Sequence, residues 1–363
     1  MALIVEFTCE LPNGVHARPA SHVETLCNTF TSHIEWHNLR TDRKGNAKSA
    51  LALIGTDTLA GDPCQLLITG ADEADAHQRL SLWLRDEFPH CDAPLAEASN
   101  SELEPLPASL THLNPQLFRA RSVCSGSAGG ILTLLSSLDL NALGELPVAG
   151  DVESEQSALD RGLTLLVKNI AFRLLDSNGA TSAILEAHRS LAGDTSLRQH
   201  LLAGVSRGLS CAQAIVDSAN HFCDEFARSS SRYLQERALD VRDVCFQLLQ
   251  HIYGEKRFPA PGKLTQPTIC MADELTPSQF LELDKTFLKG LLLKSGGTTS
   301  HTVILARSFN IPTLVGVAID ALTPWLQQEV YIDGNAGAVV VAPDEPVSRY
   351  YQQEARVHEA LRE

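Results

Sequence analysis

Positive charge is in short supply in this chain of 363 residues: 29 Lys and Arg stand against 44 Asp and Glu, a formal net charge of −15. Such an acidic balance argues against nucleic acid and against insertion into, or binding to, anionic lipid surfaces. Long apolar runs are also missing, and no basic stretch followed by an apolar core opens the chain, so neither a membrane span nor a secretory leader is expected. Aromatic residues reach only 6%. The nine cysteines are scattered and odd in number, and no two form a Cys-x-x-Cys pair. That pattern excludes a disulfide framework and a cysteine zinc site, and it suits buried thiols in a reducing cytoplasm. A Gly-Lys-Ser/Thr phosphate loop is absent as well, so nucleotide binding is not indicated.

What is present divides along the chain. Residues 2–88 alternate strand-like stretches (Leu3–Thr8, His33–His37, Ala50–Ile54, Gln65–Thr69) with two amphipathic stretches, about Pro19–Phe30 and Glu73–Glu87. Ala20, Val23, Cys27 and Phe30 share one helical face, as do Ala76, Leu80, Trp83 and Leu84. Strands with two helices in so short a segment predict an open-faced α/β sandwich. Residues 89–117, rich in Pro, Ser, Ala and Glu, read as a linker that would span about 30 Å if flexible. From 152 to 253 the pattern is helical, with Leu159, Leu163, Leu166, Ile170 and Leu174 in one stripe, and it predicts an all-α insert of about four helices. On either side, 118–151 and 254–346 carry strand patterns of one β/α domain that the insert interrupts. Residues 347–363 read as a charged terminal helix that adds nothing to the core.

Two histidines stand in settings that suit phosphate. In Asn13-Gly14-Val15-His16-Ala17-Arg18-Pro19 the Asn-Gly turn is followed by a proline fit for a first helical turn, which puts His16 and Ala17 at a helix mouth. Free amides and the helix dipole favour an anion there, Arg18 supplies a guanidinium fork, and a neutral imidazole is a competent nucleophile. In Gly296-Gly297-Thr298-Thr299-Ser300-His301-Thr302 two glycines allow backbone to approach an anion, and Thr299 and Ser300 add hydroxyls. Arg307 follows about two turns on. By spacing alone, each histidine reads as readily as a turn or cap residue.

The company these motifs keep adds to this. Residues 1–88 resemble the histidine phosphocarrier protein HPr of the bacterial phosphoenolpyruvate:sugar phosphotransferase system, through NGVHARPAS (13–21) and AKSALAL (47–53). Residues from about 118 onward resemble the N-terminal half of enzyme I of that system, through YLQERALDVRDV (233–244), DELTPSQ (273–279) and GGTTSHTVILAR (296–307). The joint order is similar to that of the multiphosphoryl transfer proteins. The resemblance implies phosphate on His16 through Nδ1, neutralised by Arg18, and on His301 through Nε2. It places Thr276 in the neighbourhood of His301, makes 152–253 the docking surface for the His16 domain, and makes the β/α domain a swivelling one. Partners implied are an enzyme I or its C-terminal barrel, and a sugar-specific enzyme IIA, with HPr-domain docking within or between chains.

Three departures bear on the chemistry. Thr298 stands where enzyme I usually has Arg, leaving Arg307 as the candidate cation. Cys124-Ser125-Gly126 lacks the usual proline, and Ser49, matching a regulatory serine of some phosphocarriers, reads here as a helix cap or turn residue. The barrel that binds phosphoenolpyruvate and magnesium is expected to lie outside this sequence, so no cofactor is expected in it. The expected activity is a phosphoryl relay of the phosphoenolpyruvate-protein phosphotransferase class, from His301 to His16 and on to an enzyme IIA. The alternatives are a regulatory protein whose histidine state a partner reads, and a dikinase fragment, which would leave residues 1–88 unexplained.

Overall fold

Ile34 and Trp36 are fully buried while their neighbours His33, Glu35 and His37 are not, the period-two signature of a strand with one face on a core. The computed structural model describes residues 2–91, 108–177, 179–228, 235, 238–259, 263–295 and 300–360. In chain order the elements start with β1 (Leu3–Thr8), α1 (Ala17–Cys27), β2 (His33–Asn38), β3 (Arg43–Asn46), α2 (Ala50–Gly55), β4 (Pro63–Thr69) and α3 (Glu73–Asp86). They continue with α4 (Ala108–Thr111), β5 (Leu117–Arg119), β6 (Arg121–Cys124) and β7 (Ser127–Leu134). Five long helices follow: α5 (Val152–Leu175), α6 (Gly179–Ala192), α7 (Thr195–Ser206), α8 (Cys211–Ala227) and α9 (Ala238–Tyr253). The chain then forms β8 (Thr268–Ala272), α10 (Pro277–Glu282), β9 (Leu288–Leu293), α11 (His301–Ser308) and β10 (Thr313–Val315). It closes with α12 (Ile319–Leu322), β11 (Glu329–Asp333), β12 (Ala338–Val340) and α13 (Glu345–Ala360).

The contacts divide this chain into two units, Met1–Ala96 with Leu140–Phe258, and Glu97–Asp139 with Pro259–Glu363. In the first, four antiparallel strands in the order β1-β4-β2-β3 bury Val5, Ile34, Trp36, Leu66 and Ile68. Trp36 packs edge-on to Phe7 at 4.9 Å and donates its indole N–H to the Thr58 hydroxyl. The helical bundle of the same unit is closed by the buried stripe Leu159, Leu163, Leu166 and Ile170 of α5. Gly162 lets α9 approach closely: a Cβ there would lie 2.5 Å from Ile252. The second unit is an eight-stranded mixed sheet, β5-β12-β11-β7-β8-β9-β10-β6, in which β7, β8, β9 and β10 run parallel. The fold class is thus mixed α and β: an α/β sandwich and a β/α domain, the latter interrupted in sequence by an all-α insert between β7 and β8.

Three local readings change. Ala50–Ile54, expected as a strand, is helix α2: an apolar run of five suits either state, and Ser49 decides by accepting from the Ala52 amide as the N-cap. Strand β3, Arg-Lys-Gly-Asn, has no apolar residue to betray it and is set by pairing with β2. The C-terminal helix does add to the core: Val347 and Tyr351 of α13 are buried with Tyr331, Val340 and Leu110. Leu110 belongs to the stretch expected as linker, of which residues 92–107 lie outside the described residues.

Candidate functional site

His16 is the residue before α1, extended at φ −110° and ψ −171°. The turn that delivers it is pinned to the loop after α2. Gly14 donates to Leu11, Val15 donates to the Thr58 carbonyl at 2.9 Å, and Ala20 donates to His16 at 2.8 Å. Gly14 has φ +68°, and a Cβ on it would lie 2.3 Å from the Thr58 oxygen, so the Asn-Gly signal reflects a real backbone demand. The imidazole is only 3% exposed, deeper than a bare turn histidine would be. Arg18 is exposed in the first turn of α1, and Ala17 opens that helix with its backbone at the N-terminal mouth.

His301 is the first residue of α11, which follows β9, and Thr276 caps α10, which follows β8. Because β8 and β9 are parallel neighbours, their carboxyl ends bring the two helix starts side by side, the usual location of ligand sites in open α/β sheets. Ser300 is the N-cap of α11, its hydroxyl accepting from the Val303 amide at 3.4 Å. The buried Thr302 hydroxyl donates to the Leu275 carbonyl and ties α11 to the turn before α10. Thr276 is fully buried in a reciprocal capping box with Gln279, so its hydroxyl acts as a helix cap. Arg307 sits at the far end of α11, about 9 Å along the axis from His301, and its Nε donates to the Val123 carbonyl at 2.7 Å. Through that nitrogen it braces α11 against β6. Gly297, Thr298 and Thr299 lie outside the described residues.

A third constellation was not visible in the sequence. Asp194, fully buried at the N-cap of α7, accepts from the amides of Ser196 and Leu197 at 2.8 and 3.1 Å. The same carboxylate accepts from the Ser49 hydroxyl and, at 2.9 Å, from the Leu51 amide at the start of α2. One carboxylate therefore caps two helices, one from each segment of the first unit. Nearby, the Ser190 hydroxyl of α6 donates to Glu24 of α1 at 2.8 Å, and the Thr195 hydroxyl donates to the Lys48 carbonyl. The bundle thus holds the His16 segment through α1 and α2. Asp-Thr-Ser before an apolar residue does announce the α7 cap, but nothing local announces a second helix 145 residues away.

Among the described residues no group of three His, Cys, Asp or Glu is placed to hold a metal ion, and no helix is long and apolar enough to cross a membrane.

Three family models match the chain: the phosphorylation site of the phosphotransferase-system HPr component over residues 5–86, the N-terminal domain of PEP-utilising enzymes over 119–237, and their mobile domain over 264–337. Multiphosphoryl transfer protein 2 of Escherichia coli K12 is 85% identical over all 363 residues, which cover 44% of it. The phosphoenolpyruvate-protein phosphotransferase of Staphylococcus carnosus is 31% identical over 188 residues, 52% of this chain and 32% of that protein. A solution structure of an enzyme I protein is similar at 25% identity and a TM-score of 0.48, over 66% of this chain and 99% of that one. The chain spans less than half the length of these curated relatives.

Proposed function

Because the chain belongs to the multiphosphoryl transfer proteins over the part of their length that it spans, we propose that it relays a phosphoryl group from His301 to His16 within the sugar phosphotransferase system. The observation that carries this reading is the shared setting of the two histidines. Each stands at the N-terminal mouth of a helix, one in each unit, where backbone amides and the helix dipole favour an anion. In the transfer the lone pair of the His16 imidazole attacks phosphorus as the P–N bond at His301 breaks, and the bonding pair returns to the His301 ring. Between two nitrogens of similar affinity for the phosphoryl group such an exchange needs alignment and charge neutralisation, and no step is routed through a metal. Arg18 supplies a cation beside His16; at His301 the helix mouth carries that task, with Gly297, Thr299 and Ser300 of the sequence motif. The docked α1 and α2 belong to an arrangement in which the bundle presents the His16 segment. The onward acceptor is a sugar-specific enzyme IIA, the phosphoryl donor to His301 is phosphoenolpyruvate held with magnesium by an enzyme I barrel, and the relay is cytoplasmic.

The test is labelling. The chain is incubated with labelled phosphoenolpyruvate, magnesium and a separately supplied enzyme I barrel, and wild type is compared with His16→Ala and His301→Ala. Label is expected on both histidines in wild type, on His301 alone in His16→Ala and on neither in His301→Ala. Label on His16 in the His301→Ala chain would end the two-histidine pathway. Phospho-His16 that no enzyme IIA accepts would favour a regulatory role.

A further inference from the structure

The surface between the His16 segment and the bundle carries two carboxylates, and among the described residues neither is paired with a cation. Glu24 is half-buried on α1 and Asp194 fully buried at the start of α7. From the other elements packed here, α6 offers Glu24 the neutral Ser190 hydroxyl and α2 its backbone at Ala50. Lys48, just ahead of α2, directs its ammonium to the Phe30 carbonyl at 2.6 Å. An ionised carboxylate taken out of water without a cation is disfavoured, and a second one beside it makes matters worse. Asp194 is partly compensated by the four donors of two helix starts. Glu24 has Ser190 and little else.

We propose that Glu24 is a positioning residue of the relay whose carboxyl is protonated when the His16 segment is docked on α6–α8, so that docking takes up a proton. The Ser190 hydroxyl can donate or accept, and the contact survives protonation. The consequence for phosphate transfer rests on the proposed relay; the surface itself does not.

Burial, opposed in part by Ser190 and reinforced by Asp194, pushes Glu24 up to about 7 from an ordinary 4.5. Burial also pushes Asp194 upward against its hydrogen bonds from Leu51, Ser49, Leu197 and Ser196. Undocked, Glu24 faces water on α1 and titrates in the ordinary range. The docked state therefore holds the extra proton between the two values. Docking is tightest below the ordinary value, weakens about tenfold per pH unit above it, and levels off above about pH 7.

Amide exchange of the full chain, corrected for the intrinsic effect of pH, reads this directly at the Leu51 amide, whose acceptor is Asp194 across the surface. In wild type, protection is expected to fall about tenfold between roughly pH 5.5 and 6.5 and to flatten above about 7.5. Glu24→Gln keeps the hydrogen bond and removes the charge, so the fall that Glu24 causes should vanish and leave only the weaker pH dependence that Asp194 contributes. Ser190→Ala removes a bond that favours the ionised form, so its break should move to higher pH. A flat wild-type profile, or a Gln variant with the wild-type slope, overturns the inference. Label transfer from His301 to His16 is followed in the same samples. Its absence at every pH with the slope intact overturns the relay and leaves the proton-coupled docking standing.

Discussion

Gly14 shows how far a single position controls the His16 turn. Its left-handed backbone and the 2.3 Å approach that a Cβ would make to Thr58 leave no room for another residue. Gly14→Ala is expected to destabilise the first unit by about 1–3 kcal/mol, read as a lower thermal midpoint, and to slow labelling of His16 because Val15 must leave the Thr58 carbonyl. Asp72 makes a second prediction. Hydrogen bonds from the Ser32 hydroxyl and the Thr31 amide hold its carboxyl well below the ordinary carboxylate range. A depressed value means that its contribution is present above the ordinary value and is lost as pH falls through the folded one. Asp72→Asn should therefore melt lower than wild type at neutral pH, and the gap should close only in acid, in paired melts across that range. At this scale the sequence is most readable where a residue answers a local demand. Gly14, Ser300 before His301 and Thr276 before Gln279 all announce turns or caps. The bond from Arg307 Nε to the Val123 carbonyl was not legible, because that carbonyl lies on a strand far away in the sequence.

Helices were legible from periodicity, and their partners were not. The stripe on α5 and the face of α1 follow from spacing, whereas α2 needed its cap to be told from a strand, and β3 needed its neighbour. The α2–α7 junction is the extreme case, since Asp194 serves both helix starts. Asp194→Ala should cost about 1–2 kcal/mol in lost capping, and exchange should quicken together at Leu51, Ser196 and Leu197, amides that share nothing else. The C-terminal helix α13 offers a comparable test. Tyr351 stacks on Tyr331 at 5.1 Å and donates its hydroxyl to Asp333 at 3.1 Å. Tyr351→Phe should cost about 0.5–1.5 kcal/mol and Tyr351→Ala about 3–5 kcal/mol in the denaturation of the second unit. A helix merely trailing from the domain would show neither loss.

Both histidines belong to one polypeptide, and this shapes the kinetics of the proposed relay. A covalently linked acceptor has an effective concentration on the order of mM when its tether reaches. Transfer from His301 to His16 is expected to be first-order and independent of protein concentration. A mixture of His16→Ala and His301→Ala chains should therefore label His16 far more slowly than wild type at low concentration, and equal rates would show that transfer runs between chains.

The insertion of the bundle between β7 and β8 has a consequence for how the molecule is made. These strands are parallel partners, with Ile131 opposite Thr268, yet roughly 130 residues separate them. Closing a loop of that size as disordered chain costs several kcal/mol of entropy before any strand contact offsets it. The bundle, built from neighbouring helices, can form from local contacts in advance and shorten the effective loop. A ribosome delivers the same order, since β8 emerges only after α9. The β7–β8 seam, and the β7–β11 pairing that follows it in chain order, thus wait until the bundle has been made, and a lesion in the bundle would leave β7 longer with open edges.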